Sequence, residues 1–191
     1  MTDLTHETFA PKPDISDLTS LAIMSLQTAM EALQACPHPD TRVCTIPPEA
    51  LTPDGAQSFI EANLAELAPN HPALYRISLT GDLNLERVLQ AFDTGRKNSP
   101  DRSYARRHGP RSRVLYVGRS SAIKKRIKEH LGFGSRQTYA LNLASWARPL
   151  DVPLLLEWAT YDPVVSSSTL SHLEDALWSS SMPMFGRQGS L

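Results

Sequence analysis

The run RVLYVGRSSAIKKRIKEHL, residues 113–131, constrains the fold more than any other part of the chain. VLYVG is dense in strand formers and ends on a glycine, which permits a tight exit and the close approach of another group to the backbone. Ser120 is then a candidate cap for a helix over about 121–131. At about 100° per residue, Ile123, Ile127 and Leu131 fall within one arc of roughly 80°, and Lys124, Lys125, Lys128 and Glu129 lie on the opposite side. A helix with so narrow an apolar stripe has to lay it on a partner, and a sheet holding the preceding strand is the nearest one.

The remaining patterns extend this unit. ALYRISLT, residues 73–80, alternates as a strand, 83–92 reads as a short helix, and TGRKNSPDRSYARRHGPRSR, 94–113, reads as a flexible loop. Further on, the pattern predicts a helix over 137–147, a strand over 154–161 and a last helix over 168–179. The expected domain, residues 71–191, is of the α/β (α+β) class, with a small three-stranded, largely antiparallel sheet flanked by helices. Residues 1–70 read as a helical, acidic N-terminal extension. It comprises a mobile tail over the first dozen residues, a helix from Asp17 to Pro37, a proline-rich connection, and a helix over 55–67 led by Asp54 as cap.

Among 191 residues the longest apolar runs are short, such as VPLLLEWA at 152–159, so the expectation is a soluble, cytoplasmic protein with no membrane partner. Cys36 and Cys44 have no Cys or His companions at zinc spacing and read as ordinary thiols.

A formal net charge of -1 conceals a strong segregation. Residues 1–72 hold ten Asp or Glu against Lys12 and Arg42, whereas 96–136 hold thirteen Lys or Arg against Asp101 and Glu129, a local excess of +11. That segment has the footprint of a polyanion-binding surface; a solvated loop and a charged helix face account for the composition equally well.

Two charged residues sit where charge is costly. Arg126 and His130, one turn apart, lie beside or within the apolar arc of the 121–131 helix, and a desolvated guanidinium there needs an anionic partner. On the last helix, Leu170, Leu173, Leu177 and Trp178 define an arc into which Glu174 points, while Asp175 points away. A base or a hard cation such as Mg²⁺ would neutralise Glu174, and a salt bridge to Arg126 itself would serve as well. Tyr75 and Tyr116 stand on the first two strands. Phenols, a guanidinium and an inward carboxylate are what phosphodiester hydrolysis asks for: a base, a charge stabiliser and a place for a metal.

These residues resemble the GIY-YIG nuclease family. Tyr116, Val117 and Gly118 resemble its YIG element, and Ala73, Leu74 and Tyr75 its GIY element; Arg126 stands ten residues after the second tyrosine and His130 four further on. Glu174, followed by Pro183 and Phe185, resembles the glutamate of the family's final helix. The resemblance covers about residues 72–188 and implies a metal-dependent endonuclease acting on DNA, with RNA left open, in restriction, defence or mobile-element biology. Its catalytic set would be Tyr75, Tyr116, Arg126, His130 and Glu174, with Mg²⁺ or Mn²⁺ on Glu174. The basic insertion at 94–113, through Arg106, Arg107, Arg111 and Arg113, would grip nucleic acid together with Gly118, Arg119, Lys124 and Lys125. Gly186 stands where the family has an asparagine. The alternative is a catalytically inactive GIY-YIG-like module that binds nucleic acid or a partner protein, and a homodimer is compatible with either.

Overall fold

The computed structural model describes residues 18–189. The chain divides into two compact units, residues 1–36 and 37–191. The first holds helix α1 (Leu18–Gln34), which buries none of its residues and leaves Leu18, Ile23, Met24, Leu26 and Met30 exposed. The expected tail over the first dozen residues, and Asp17 as helix start, lie outside the described residues.

The second unit carries strands β1 (Asp40–Ile46), β2 (Ala73–Leu79), β3 (Val114–Ser120) and β4 (Leu154–Thr160), with helices α2 (Pro53–Leu64), α3 (Leu85–Asn98), α4 (Ile123–Leu131) and α5 (Ser167–Ser181). The strands form one antiparallel sheet in the order β1-β4-β2-β3. The α+β class therefore holds, but the sheet has four strands where three were expected. The additional strand is DTRVCTI, inside the segment read as a proline-rich connection. Its prolines fall outside the strand, and as an edge strand it pairs on one side only, Asp40 against Thr160 through Ile46 against Leu154. With β1 in the sheet, and Phe59, Ile60 and Leu64 of α2 in the core, residues 37–70 belong to the domain. Its boundary moves from 70 back to 36.

Local chemistry explains several other departures. Thr52, not Asp54, caps α2: its hydroxyl accepts from Gly55 N–H, with Pro53 in the first turn. A Cβ on Gly55 would stand 2.0 Å from the Glu49 carbonyl oxygen, so only glycine fits there. Asn84 caps α3, which continues past Phe92 to Asn98. Ser120 accepts from Ala122 N–H, but α4 begins after Ala122 without a side-chain cap. The segment 137–147 is not a helix, because Asn142 takes a left-handed conformation (φ 53°) and its amide donates to the Ser103 and Ala140 carbonyls. One 3-10 turn, Leu143–Ser145, lies within it, and a second, Arg148–Leu150, follows it.

The basic loop is also tied down. Tyr104 pairs with Ala140, Arg107 pairs with Phe185, and Tyr104 and Ala105 are buried. Phe92 of α3 is the hub beneath this loop, stacked on Phe185 at 4.2 Å between centroids and edge-on to Trp146 at 5.6 Å. Among the described residues, no helix is long and apolar enough to cross a membrane.

Candidate functional site

In the β2–β3 register Tyr75 stands opposite Gly118 and Ile77 opposite Tyr116, so the two tyrosines project from the same face of neighbouring strands. Their rings stack with centroids 6.1 Å apart and planes 14° from parallel. A Cβ on Gly118 would lie 2.8 Å from both the Tyr75 hydroxyl and the Tyr116 ring, so the glycine makes the room in which the phenols meet. Arg126 reaches them from α4: Nε donates to the Tyr75 hydroxyl (3.2 Å) and Nη2 to the Tyr116 hydroxyl (3.1 Å). His130, one turn further, is fully buried and lies 2.9 Å through Nε2 from the Tyr75 oxygen.

The histidine's protonation follows from its other neighbour. Leu141 N–H donates to Nδ1 (3.2 Å), so Nδ1 carries no proton and the neutral ring keeps its hydrogen on Nε2, aimed at Tyr75. Burial, and then the nearby Arg126 charge, hold the His130 pKa well below its ordinary value. Tyr75 thus accepts from two donors. Burial nevertheless pushes its phenol pKa upward, with Tyr116 adding to the rise and Arg126 opposing it. Tyr75 is buried, and Tyr116 is the phenol that lines the open cleft. Burial works against the charge of Arg126, and the two phenols and Glu129 outweigh it, so the guanidinium stays protonated beyond its ordinary range.

Glu129 corrects the helical-wheel reading. Expected in solvent, it is 9% exposed and accepts from Arg126 Nη1 at 2.9 Å. The chain folds back over it after α4: a Cβ on Gly134 would come within 2.5 Å of Glu129 Cγ. Arg126 Nη2 also donates to the Tyr139 carbonyl (3.0 Å), so every nitrogen of the guanidinium is engaged.

Glu174 is held differently. Alternation along β3 sends Arg119 to the face opposite Tyr116, and there Arg119 Nε meets the Glu174 carboxylate at 3.0 Å and Nη1 donates to Ser167. The partner of Glu174 is therefore Arg119, not Arg126. Burial raises the Glu174 pKa, Arg119 lowers it and Asp175 adds to the rise. Asp175, expected to point away, has one carboxylate oxygen buried without a hydrogen-bond partner. Glu174 does not line the cleft with Tyr116, although its charge lies close enough to add to the rise at Tyr75. Among the described residues, no three His, Cys, Asp or Glu side chains group to hold a metal. A hard cation at Glu174 would have only this one carboxylate, already neutralised by a guanidinium. As arranged, the residues do not fit the ion.

Tyr116 and Arg126 open onto a cleft of about 1020 Å³. Arg96, Lys97, Arg102, Arg106, Arg107, Arg126 and Arg187 line it against a single acid, Asp93, which pairs with Arg107 at 3.2 Å. Of the expected nucleic-acid contacts, Arg106 and Arg107 are at the cleft; Arg111, Arg113, Gly118, Arg119, Lys124 and Lys125 are not. Arg113 is tied to Asp82 and Gly81, Lys124 donates to the Ala65 carbonyl, and Gly118 is buried. Arg96, Lys97, Arg102, Arg187 and Tyr139 had not been singled out. The first three lie in the +11 segment, which is the signal that could have found them. Gly186 has φ 111° and packs on Tyr116; a Cβ there would stand 3.0 Å from the ring, so this position favours glycine.

Comparison of the chain with protein-family models, with curated proteins and with solved structures gives no match.

Proposed function

We propose that this protein is a nuclease of the GIY-YIG kind, hydrolysing phosphodiester bonds in DNA, with RNA as the other candidate substrate. The observation that carries the reading is one guanidinium, Arg126, bonded to two phenols on the floor of a cleft with seven cations and one acid. Such a surplus favours a polyanion and makes binding salt-dependent. At its floor the Tyr116 hydroxyl, already hydrogen-bonded to the Arg126 cation, orients the attacking water, whose proton passes to solvent as the bond to phosphorus forms and the leaving oxygen departs. Arg126 stabilises charge that develops on the scissile phosphate. His130 and Tyr75 act from below by fixing where Arg126 and Tyr116 sit. The Mg²⁺ or Mn²⁺ expected at Glu174 would bind there only after Arg119 released the carboxylate, so no step is routed through the metal.

The pairing of Glu174 with Arg119 favours a second reading, in which the cleft binds nucleic acid without cutting it. Purified protein incubated with plasmid and single-stranded DNA, with Mg²⁺, Mn²⁺ or a chelator, separates the two. Cleavage by wild type that is lost in Arg126→Ala supports the nuclease. Tight binding without cleavage under every condition leaves the binding module.

A further inference from the structure

Tyr139 is 65% exposed at the cleft wall, yet the backbone at and just after it is tied down. Its own carbonyl accepts from Arg126, the following residue Ala140 pairs with Tyr104 and accepts from Ala105 N–H, and Leu141 N–H donates to His130. Ala140 and Leu141 are buried. An aromatic ring is thereby presented to solvent from a rigid base that also fixes the guanidinium between the phenols. Arg187 lies over that ring, with its guanidinium carbon 5.9 Å from the centroid, and lines the same cleft.

We infer that Tyr139, with Arg187, is a stacking platform for an unpaired nucleobase, so that the cleft takes single-stranded nucleic acid. This rests on the polyanion reading above and names its substrate class. Every nucleobase offers a π face to an aromatic ring, and cations that track the backbone act in concert with such stacking. In a duplex both faces of an internal base are already covered by its neighbours, and only an unpaired nucleotide has a face free for Tyr139. The cations along the cleft hold the phosphates, and the ring recognises the presence of a base without reading its identity.

Fluorescence anisotropy on the full-length protein tests this with four probes of equal length: single-stranded DNA, single-stranded RNA, a single strand carrying abasic sites throughout, and duplex DNA. Wild type should bind at least one base-bearing single strand about five-fold or more tightly than the abasic strand. Tyr139→Ala should abolish that difference and leave abasic affinity unchanged, whereas Tyr139→Phe should keep it. Equal wild-type affinity for base-bearing and abasic strands overturns the inference, as does a Tyr139→Ala loss that is the same on both. Duplex binding tighter than single-strand binding and indifferent to Tyr139→Ala overturns it while the polyanion reading stands. Failure of wild type to bind any probe at low salt overturns both. Thermal unfolding of each variant identifies a loss that comes from misfolding, and Tyr139→Phe then decides.

Discussion

Two arginines from one strand-to-helix unit, Arg126 and Arg119, each meet a glutamate at nearly the same distance, 2.9 Å to Glu129 and 3.0 Å to Glu174. Only one of them sits at a candidate site. Arg119 joins β3 to α5 and finds its other partners in Ser167. Arg126 instead spans two phenols, and the cleft above it carries an excess of positive charge. An ion pair in a half-buried place is therefore poor evidence of function by itself. Chemistry that the pair does not need, and an open approach for an anion, mark the difference.

The widest separation between the two arginines should appear in turnover. If the nuclease reading holds, Arg126→Ala lowers the cleavage rate by about 100-fold or more, the range for removing a preorganised charge stabiliser, and Tyr116→Phe has an effect of similar order. Steady-state cleavage of a labelled oligonucleotide reads both. Equal losses in Arg119→Ala would erase the distinction. Next in size is binding. Replacing Arg96, Lys97 and Arg106 together by alanine should weaken DNA affinity by about ten-fold or more near physiological salt. The same replacement should flatten the logarithmic salt dependence on single-stranded DNA by about 0.7 for each phosphate that the protein ceases to neutralise. Affinity measured across a salt series checks both.

Stability sharpens the comparison from below. Gly118→Ala forces a Cβ against both phenols and should cost about 1–3 kcal/mol in urea unfolding, as overpacking does. His130 supplies a pH test. Its folded pKa lies below its unfolded value, so its neutral form contributes stability that is complete above the ordinary histidine range. As pH falls through that range the unfolded state takes up the proton first, and stability should fall by at most about 1.4 kcal/mol per pH unit. Urea titrations at several pH values should give this slope in wild type and a shallower one in His130→Gln. The smallest effect on binding belongs to Glu174→Gln, expected to change DNA affinity less than about two-fold, because the carboxylate is paired with Arg119 and does not line the cleft.

What the sequence made legible was local. Ile123, Ile127 and Leu131 placed α4 on the sheet, and the same helical spacing brought Arg126 and His130 to its margin. Tyr75 and Tyr116 were readable because alternation on short strands fixes which face a side chain takes. The remainder depends on distant parts of the chain. β1 escaped notice because prolines flank it and its partner β4 lies more than a hundred residues away. Glu129 looked solvated because a helical wheel has no knowledge of a chain that returns at Gly134. Glu174 was correctly seen as an inward carboxylate, but its partner was decided by the alternation of β3, which turned Arg119 toward α5. Tyr139 and Arg187 are near the site only because the segment after α4 and the C-terminal segment close the same cleft.

The division between the two arginines is tested most directly by following arginine side-chain Nε–H signals by NMR while a short oligonucleotide is titrated in. The signals of Arg126, Arg106 and Arg107 should shift, and that of Arg119 should not. A response at Arg119 with Arg126 unmoved would contradict that division.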